Sequence, residues 1–300
     1  MKFSIWQGPH QSWGDVLHGA QHAEQTGWDG VWFADHLMPL KGDAPTLECW
    51  ATIAGIAAAV PRVRIGSLVS GNTYRTPAVL AKMAATIDHI SGGRLILGLG
   101  AGWQRNEHEA YGIDFFDVKG RLARLEEACQ VVKGLLSNDH TDLSGRFYTL
   151  RDAPFDPRPV QQPLPLLIGG GGERVTLRIA ARYADEWNVW GTADLLRAKG
   201  AVLDKHCRDI ERDPRGIRRS AQALVFLSED RAWLDQRRKE MAGGARPVVI
   251  GTPDDLQAAM ADYRDAGVDE FIVPDFNLGP PEAKSEMMDM FIERVAPALR

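Results

Sequence analysis

Few residues in this chain combine a reactive side chain with a place where the backbone would present it. His36, in the tripeptide Ala34-Asp35-His36, stands first. Imidazole titrates near neutrality, and the adjoining carboxylate of Asp35 would tune it or hold a ligand. The same tripeptide also reads as a capping aspartate beside a structural histidine. Two glycine-rich turns come next. Gly98-Leu99-Gly100-Ala101-Gly102 follows an apolar run but does not continue as GxGxxG into a helix, so the dinucleotide fingerprint fails there. Gly169, Gly170, Gly171 and Gly172 stand between an apolar run and a helical one. Glycines admit an anion to backbone amides, and the positive end of the helix, with Arg174 beside it, favours phosphate. A turn demanded by sterics alone is the other reading.

Five of the nine tryptophans, Trp6, Trp50, Trp103, Trp187 and Trp190, fall at or near the ends of strand-like runs. That suits a flat group stacked among them, or a core filled with large rings. Other chemistries lack their residues. No two facing carboxylates suggest glycoside hydrolysis, and no concentration of His, Asp and Glu suggests a hydrolytic metal centre. His18 and His22 share an i, i+4 face but have no HExxH glutamate, and their helix reads as solvated surface.

The elements that must position these residues alternate along the chain, a short β-rich run followed by a longer helix-period run. Strands are expected at Lys2 to Gln7, Trp28 to His36, Arg62 to Ser70, Arg94 to Gly102, Leu166 to Gly170, Glu186 to Gly191, Ala221 to Ser228 and Asp269 to Pro274. Helices are expected at Gly14 to Thr26, Leu47 to Val60, Pro77 to Ser91, Arg121 to Leu136, Val175 to Ala184 and Ala193 to Glu211, and after Thr252-Pro253. Eight such units in 300 residues predict an α/β protein, a single (β/α)8 TIM barrel spanning 1–300. A doubly wound sheet would split into two domains at this length, and no linker supports a split. The proline-rich stretch from Thr141 to Pro163 breaks the pattern after the fourth unit and reads as an insertion over one barrel rim. A parallel barrel gathers its strand C-termini on one face, which places His36, Ser67, Ser70, Asn72, Gly102, Asn106, Asn188 and Trp190 on a shared rim.

Composition narrows the partners. With 35 Lys and Arg against 40 Asp and Glu, the formal net charge is −5, without the cationic surplus that nucleic acid or an anionic membrane would attract. Three cysteines without CxxC spacing form neither a disulfide framework nor a zinc site, which fits a reducing cytoplasm. No apolar run approaches the ~20 residues of a membrane span, and the N-terminus passes straight into a strand-like run.

The stretch Arg64 to Ile113, with TPAVLAKMAATIDHISGGRLILGLGAGW at its centre, together with VWFADH, PLLIGGGG and ARYADEWNV, resembles the bacterial luciferase-like flavin and deazaflavin oxidoreductases. Within them it is similar to the branch that uses coenzyme F420. The resemblance runs from Met1 to about Pro274 and implies the TIM barrel independently. It also implies that His36, preceded by Asp35, exchanges a proton beside the reactive carbon of the cofactor. A cis non-prolyl peptide is implied at Ser67-Leu68. Ser70, Asn72, Ala101, Gly102 and Asn106 would contact the ring, and Gly170 to Gly172 with Arg174 and Val175 would form the phosphate turn. Glucose-6-phosphate dehydrogenases of this family carry a glutamate where this chain has Trp103 and a tryptophan where it has Leu40. Their threonine and lysine for the sugar phosphate align with Trp190 and Ala193. These departures disfavour a sugar phosphate and imply a pocket of Trp6, Trp50, Trp103, Asn188 and Trp190 for a small uncharged alcohol, ketone, imine or conjugated carbonyl. The expected activity is hydride transfer at the deazaflavin C5, without a metal, in a homodimer. The alternatives are an FMN-dependent monooxygenase fed by a partner reductase, and a non-catalytic cofactor-binding barrel.

Overall fold

A computed structural model describes all 300 residues. In chain order the elements are β1 (Lys2–Gln7), α1 (Trp13–Thr26), β2 (Gly30–Phe33), α2 (Cys49–Ala59), β3 (Arg64–Ser67), β4 (Ser70–Gly71), α3 (Pro77–Ser91), β5 (Leu95–Gly100), α4 (Arg105–Ala110) and α5 (Val118–Ser137). There follow β6 (His140–Ser144), β7 (Thr149–Pro154), β8 (Leu166–Gly169), α6 (Thr176–Tyr183), β9 (Glu186–Trp190), α7 (Ala193–Arg208), β10 (Arg218–Gln222) and β11 (Leu224–Leu227). The chain ends with α8 (Arg231–Met241), β12 (Val248–Gly251), α9 (Pro253–Asp265), β13 (Glu270–Pro274) and α10 (Pro281–Arg294).

The main sheet runs β3-β2-β1-β13-β10-β9-β8-β5-β4, and a further β3–β5 pairing closes it. All its pairings are parallel. β3 and β4 are two halves of one interrupted strand, so the closed barrel has the eight strands that the alternation predicts. Strands covered on both faces read as continuous apolar runs, and β2 and β5 are buried at every position. Turn chemistry fixes the helices. Thr76-Pro77 opens α3 and Gly92, at φ 66°, ends it, while Thr252 and Asp255 form a capping box on α9.

Two layers fill the barrel. Trp32, Leu68, Ile96, Leu167 and Ile272 pack together inside it, apart from the main core between sheet and helices. At the N-terminal strand ends, Arg64 pairs with both Glu186 and Glu270, and Glu270 also accepts from Ser4 and the Trp32 indole. This ionic layer floors the barrel interior at the N-terminal strand ends.

The structure departs from expectation in three places. The run Ala221 to Ser228 is not one strand. Its first residues complete β10, and the rest, β11, pairs in parallel with β12 in a separate two-stranded sheet. The unit β11-α8-β12 is thus a second excursion from the barrel. The expected rim insertion is the antiparallel β6–β7 hairpin followed by a proline-rich tail, and that tail lies along the outside of the barrel. Lys82 and His89 of α3 bond the Asp156 and Arg158 carbonyls at 2.8 and 2.6 Å, and Gln161 bonds Asp88. Finally, the short helix α4 precedes the late helix α5. No helix is long and apolar enough to cross a membrane.

Candidate active site

A cavity of about 910 Å³ opens at the C-terminal ends of the barrel strands, within the usual size for a cofactor or small-molecule site. The structure brings Trp6, Asp35, His36, Leu68, Ser70, Ala101, Gly102, Trp103, Gly169, Gly170, Asn188 and Trp190 to its wall.

One wall is the interruption between β3 and β4. The cis peptide there joins Leu68 and Val69, one residue later than Ser67-Leu68. Glycines let this segment sit against its neighbours. A Cβ on Gly100 or Gly169 would lie 2.7 or 2.8 Å from a Val69 methyl, and one on Gly98 would clash with the Ser67 carbonyl oxygen. Ser67 is not a cavity residue, because its hydroxyl donates to the Gly98 carbonyl at 2.9 Å. Trp50 is not one either. It is buried at the start of α2, where its indole N–H donates to Ser70 Oγ at 2.8 Å and anchors the wall from behind.

His36 follows β2. Its Nδ1 is 2.9 Å from Oε1 of Glu107, a fully buried carboxylate on α4. The Leu37 amide donates to the other oxygen at 2.8 Å, and the Tyr74 hydroxyl donates to Oε1. Burial alone would raise the Glu107 carboxyl. The hydrogen bonds from His36, Tyr74 and Leu37, with the His36 charge, outweigh it and hold the group below its ordinary value. An ionised acceptor at Nδ1 assigns the proton to that nitrogen and leaves Nε2 without a partner in the chain, on a ring that lines the cavity. Trp103 packs edge-on against the imidazole, with centroids 5.5 Å apart.

Asp35, expected to tune His36 or hold the cofactor, is committed elsewhere. Arg75 grips both its oxygens, at 2.7 and 3.2 Å, and also pairs with Glu48 of the adjoining loop. Burial raises the Asp35 carboxyl more than Arg75 lowers it. The pair ties two loops together, and the carboxylate that addresses His36 is Glu107, 71 residues away in sequence.

At the glycine turn, Gly170 has φ 121°, a backbone conformation suited to glycine, and its carbonyl accepts from the Trp187 indole at 2.9 Å. Gly169, Gly170 and Thr176 face the cavity, whereas Gly171, Gly172, Arg174 and Val175 continue the turn beyond its lining. α6 starts there with no side-chain cap, and Arg174 is exposed and forms no ion pair. Asn72 and Asn106 stand behind the wall. Asn72 is buried with its amide nitrogen unpartnered, and Asn106 donates to the Pro39 carbonyl at 3.0 Å, which holds the loop after His36.

In the same lining, Trp6, Trp190 and Phe276 form a cluster of rings, with Trp6 5.6 Å from each of the other two. Two polar atoms in this part of the lining, Trp6 Nε1 and Gln222 Oε1, are buried without a partner. No three His, Cys, Asp or Glu side chains are grouped to hold a metal ion.

A family model described as luciferase-like monooxygenase matches residues 1–245. The chain belongs to that family. Among curated relatives, it is 33% identical over 335 aligned positions to an F420-dependent glucose-6-phosphate dehydrogenase of Intrasporangium calvum, covering 98% of each chain. It is 31% identical to the protein of that name from Kineococcus radiotolerans, covering 96% of this chain and 93% of the relative. Among solved structures, an F420-dependent secondary alcohol dehydrogenase in complex with an F420-acetone adduct superposes with a TM-score of 0.87 at 20% identity, over 100% of this chain and 99% of the other. That likeness shows a shared luciferase-like barrel.

Sequence reasoning missed Glu107, Tyr74, Gln222, Arg246 and Phe276. Glu107 lies in Asn106-Glu107-His108-Glu109, which reads as a polar surface helix, and Arg246 in a short glycine-alanine loop. Only the closure of the barrel, which sets β5 one strand away from β2 across the interrupted β3–β4 strand, gives the first its meaning, and only the second excursion brings the other to the mouth.

Proposed function

We propose that this chain is an F420-dependent oxidoreductase that transfers a hydride between the deazaflavin C5 and a small, uncharged organic substrate: an alcohol or ketone, an imine or a conjugated carbonyl. The observation that carries the reading is His36, fixed through Nδ1 by a buried glutamate, with Nε2 free at a cavity backed by the Leu68–Val69 wall. Relatives named for F420 support the cofactor class. The residues present fit such a group. Gly100 and Gly169 let Val69 pack close enough to make the Leu68–Val69 wall, and Trp6 and Gln222, each with a buried polar atom that has no partner in the chain, stand in the lining. Ser70, Ala101, Gly102 and the Leu68–Val69 segment would hold the ring, and Gly169 to Gly172, with Arg174, Val175 and the uncapped start of α6, would hold the phosphoryl tail.

When bound, the deazaflavin supplies two-electron chemistry at a ring carbon, without the peroxide route open to flavins. The chain supplies the rest. His36 Nε2 takes or returns the proton that accompanies oxidation or reduction at the substrate oxygen or nitrogen. Glu107 keeps the imidazole in the orientation and tautomer that allow this. Trp103, Trp6 and Trp190 orient the substrate and keep water from its reacting carbon. The remaining expectations are a homodimer in a reducing cytoplasm, the latter supported by three buried, unpaired cysteines.

Titrating the purified protein with F420 and with FMN tests the cofactor. F420 is expected to bind with a dissociation constant at least tenfold below that of FMN, read by quenching of tryptophan fluorescence. Tight FMN binding with no binding of the deazaflavin overturns the proposal.

A further inference from the structure

Alternate side chains of a strand share a face, so each barrel strand stacks a column of residues toward the interior. In β1 that column is Lys2, Ser4 and Trp6, and in β10 it is Arg218, Ser220 and Gln222. Trp6 and Gln222 line the active-site cavity, which leaves Lys2 and Arg218 at the opposite end of the barrel. β13 runs between the two strands, with Glu270 level with Lys2 on one side and Ser220 on the other. Both cations line a hollow of about 600 Å³ at the N-terminal strand ends, whose walls carry six cationic side chains and four carboxylates.

The carboxylates are already engaged. Arg64 takes Glu186 and Glu270, Asp29 accepts from Arg300 and the Phe3 amide, and Asp269 accepts from the Arg219 amide. Arg219 and Arg264 reach acids outside the lining, Asp204 and Asp265. Lys2 and Arg218 remain without an ion pair or a side-chain hydrogen bond, and Arg218 favours the Glu186 charge only from a distance. Lys2 is half-buried. Burial, joined by the charges of Arg64 and Arg218, holds its ammonium below the ordinary value despite Glu270 and Asp29. An anion between the two free cations would relieve that repulsion.

We infer that this hollow is a second binding site, and that its ligand is a compact oxyanion of two or more negative charges held by Lys2 and Arg218. The lining sets the class. Of its 14 residues only Met1 and Val268 are hydrophobic and none is aromatic, so nothing there would receive a nucleobase or an apolar body. Arg218 offers a fork of donors for two oxygens and Lys2 a point charge, a pairing that suits a phosphorylated group or a polycarboxylate. The site uses neither the cofactor nor His36, so it stands whether or not the chain transfers a hydride.

Isothermal titration of the whole chain at low ionic strength tests the site, with pyrophosphate and citrate as probes and acetate as the monovalent control. At least one polyanion should bind tenfold or more tightly than acetate, and added salt should weaken it because Arg218 is exposed. Whichever probe binds more tightly tells a phosphorylated ligand from a polycarboxylate. Lys2→Gln and Arg218→Gln should each weaken that probe about tenfold, and Lys2→Arg should keep most of the affinity. Without ligand, the melting temperatures of these variants should match or exceed that of the native chain, since neither residue has a bond to lose. The probe should raise the native melting temperature but not that of the doubly substituted chain. Polyanion binding no tighter than that of acetate overturns the inference. So does binding that survives the double substitution, or that saturating F420 displaces, since either would move the anion to the other end of the barrel.

Discussion

The two ends of the barrel both bury polar groups, yet they treat them differently. At the N-terminal end Arg64 meets Glu186 and Glu270, and Glu270 also takes the Ser4 hydroxyl at 2.6 Å and the Trp32 indole at 2.9 Å. At the C-terminal end Trp6 Nε1 and Gln222 Oε1 are buried without partners, His36 has a free ring nitrogen, and Arg246 has no counter-ion. Volume does not separate the ends, since a hollow of about 600 Å³ also lies at the bottom, lined mostly by charged side chains. The bottom hollow has unpaired cations of its own, Lys2 and Arg218; what sets the top apart is that its unmatched groups include two buried ones, Trp6 Nε1 and Gln222 Oε1. A polar group left incomplete inside a protein is costly unless something else completes it, so the end that carries the buried deficit is the end built to enclose a ligand.

If that contrast is sound, substitutions at the two ends should affect different observables. The largest effect belongs to the top. His36→Asn should lower the single-turnover rate of hydride transfer by about 10²–10⁴-fold, while the melting temperature and F420 affinity stay close to those of the native chain. A variant that turns over at the native rate would remove His36 from the chemistry and favour a barrel that only binds its cofactor. At the bottom, Arg64→Met leaves Glu186 and Glu270 facing each other without their cation. The expected cost is about 3–5 kcal/mol in denaturant unfolding, with the rate per folded molecule unchanged. A loss of activity without a loss of stability would erase the distinction between the ends.

The same contrast explains what the sequence could disclose. Repetition of strand and helix reflects burial, which is written locally in residue type, so the barrel and helices such as Pro77–Ser91 were legible. Where the chain leaves the barrel was not. Ala221 to Ser228 is uniformly β-forming, and nothing in Ala-Gln-Ala-Leu-Val-Phe-Leu-Ser marks the point where the partner changes from β9 and β13 to β12. In the site, His36 and the glycine turn stood out because imidazole and consecutive glycines are chemically distinctive. The sequence offers the adjacent Asp35 as the partner of His36, yet Arg75 holds that carboxylate. Glu107 resembles any helical glutamate until folding buries it. Complementarity between groups far apart in the chain is a property of the fold, and residue identity alone does not carry it.

Glu107 offers the finest test, because it is a residue of the reactive end that is matched as fully as those at the floor, with three donors on one buried carboxylate. Its carboxyl is held below the ordinary value of 4.5, so the folded state favours the ionised form. The stabilisation is therefore fully present above about pH 4.5 and is lost as the pH falls through the lower folded-state value. Glu107→Gln weakens hydrogen bonds to a buried ionised acceptor and should cost on the order of 1 kcal/mol at neutral pH, and its melting temperature should converge on that of the native chain in acid. Curves that stay parallel from neutral to acid pH would mean that the ionised carboxylate contributes nothing to the fold. The rate should respond as well. An amide can still bond the imidazole but no longer dictates which nitrogen carries the proton, so kcat should fall about tenfold with KM nearly unchanged. A variant that loses stability but keeps kcat would place Glu107 with the structural ions of the floor, and one that loses both would make it the point where the two ends of the barrel share a single design.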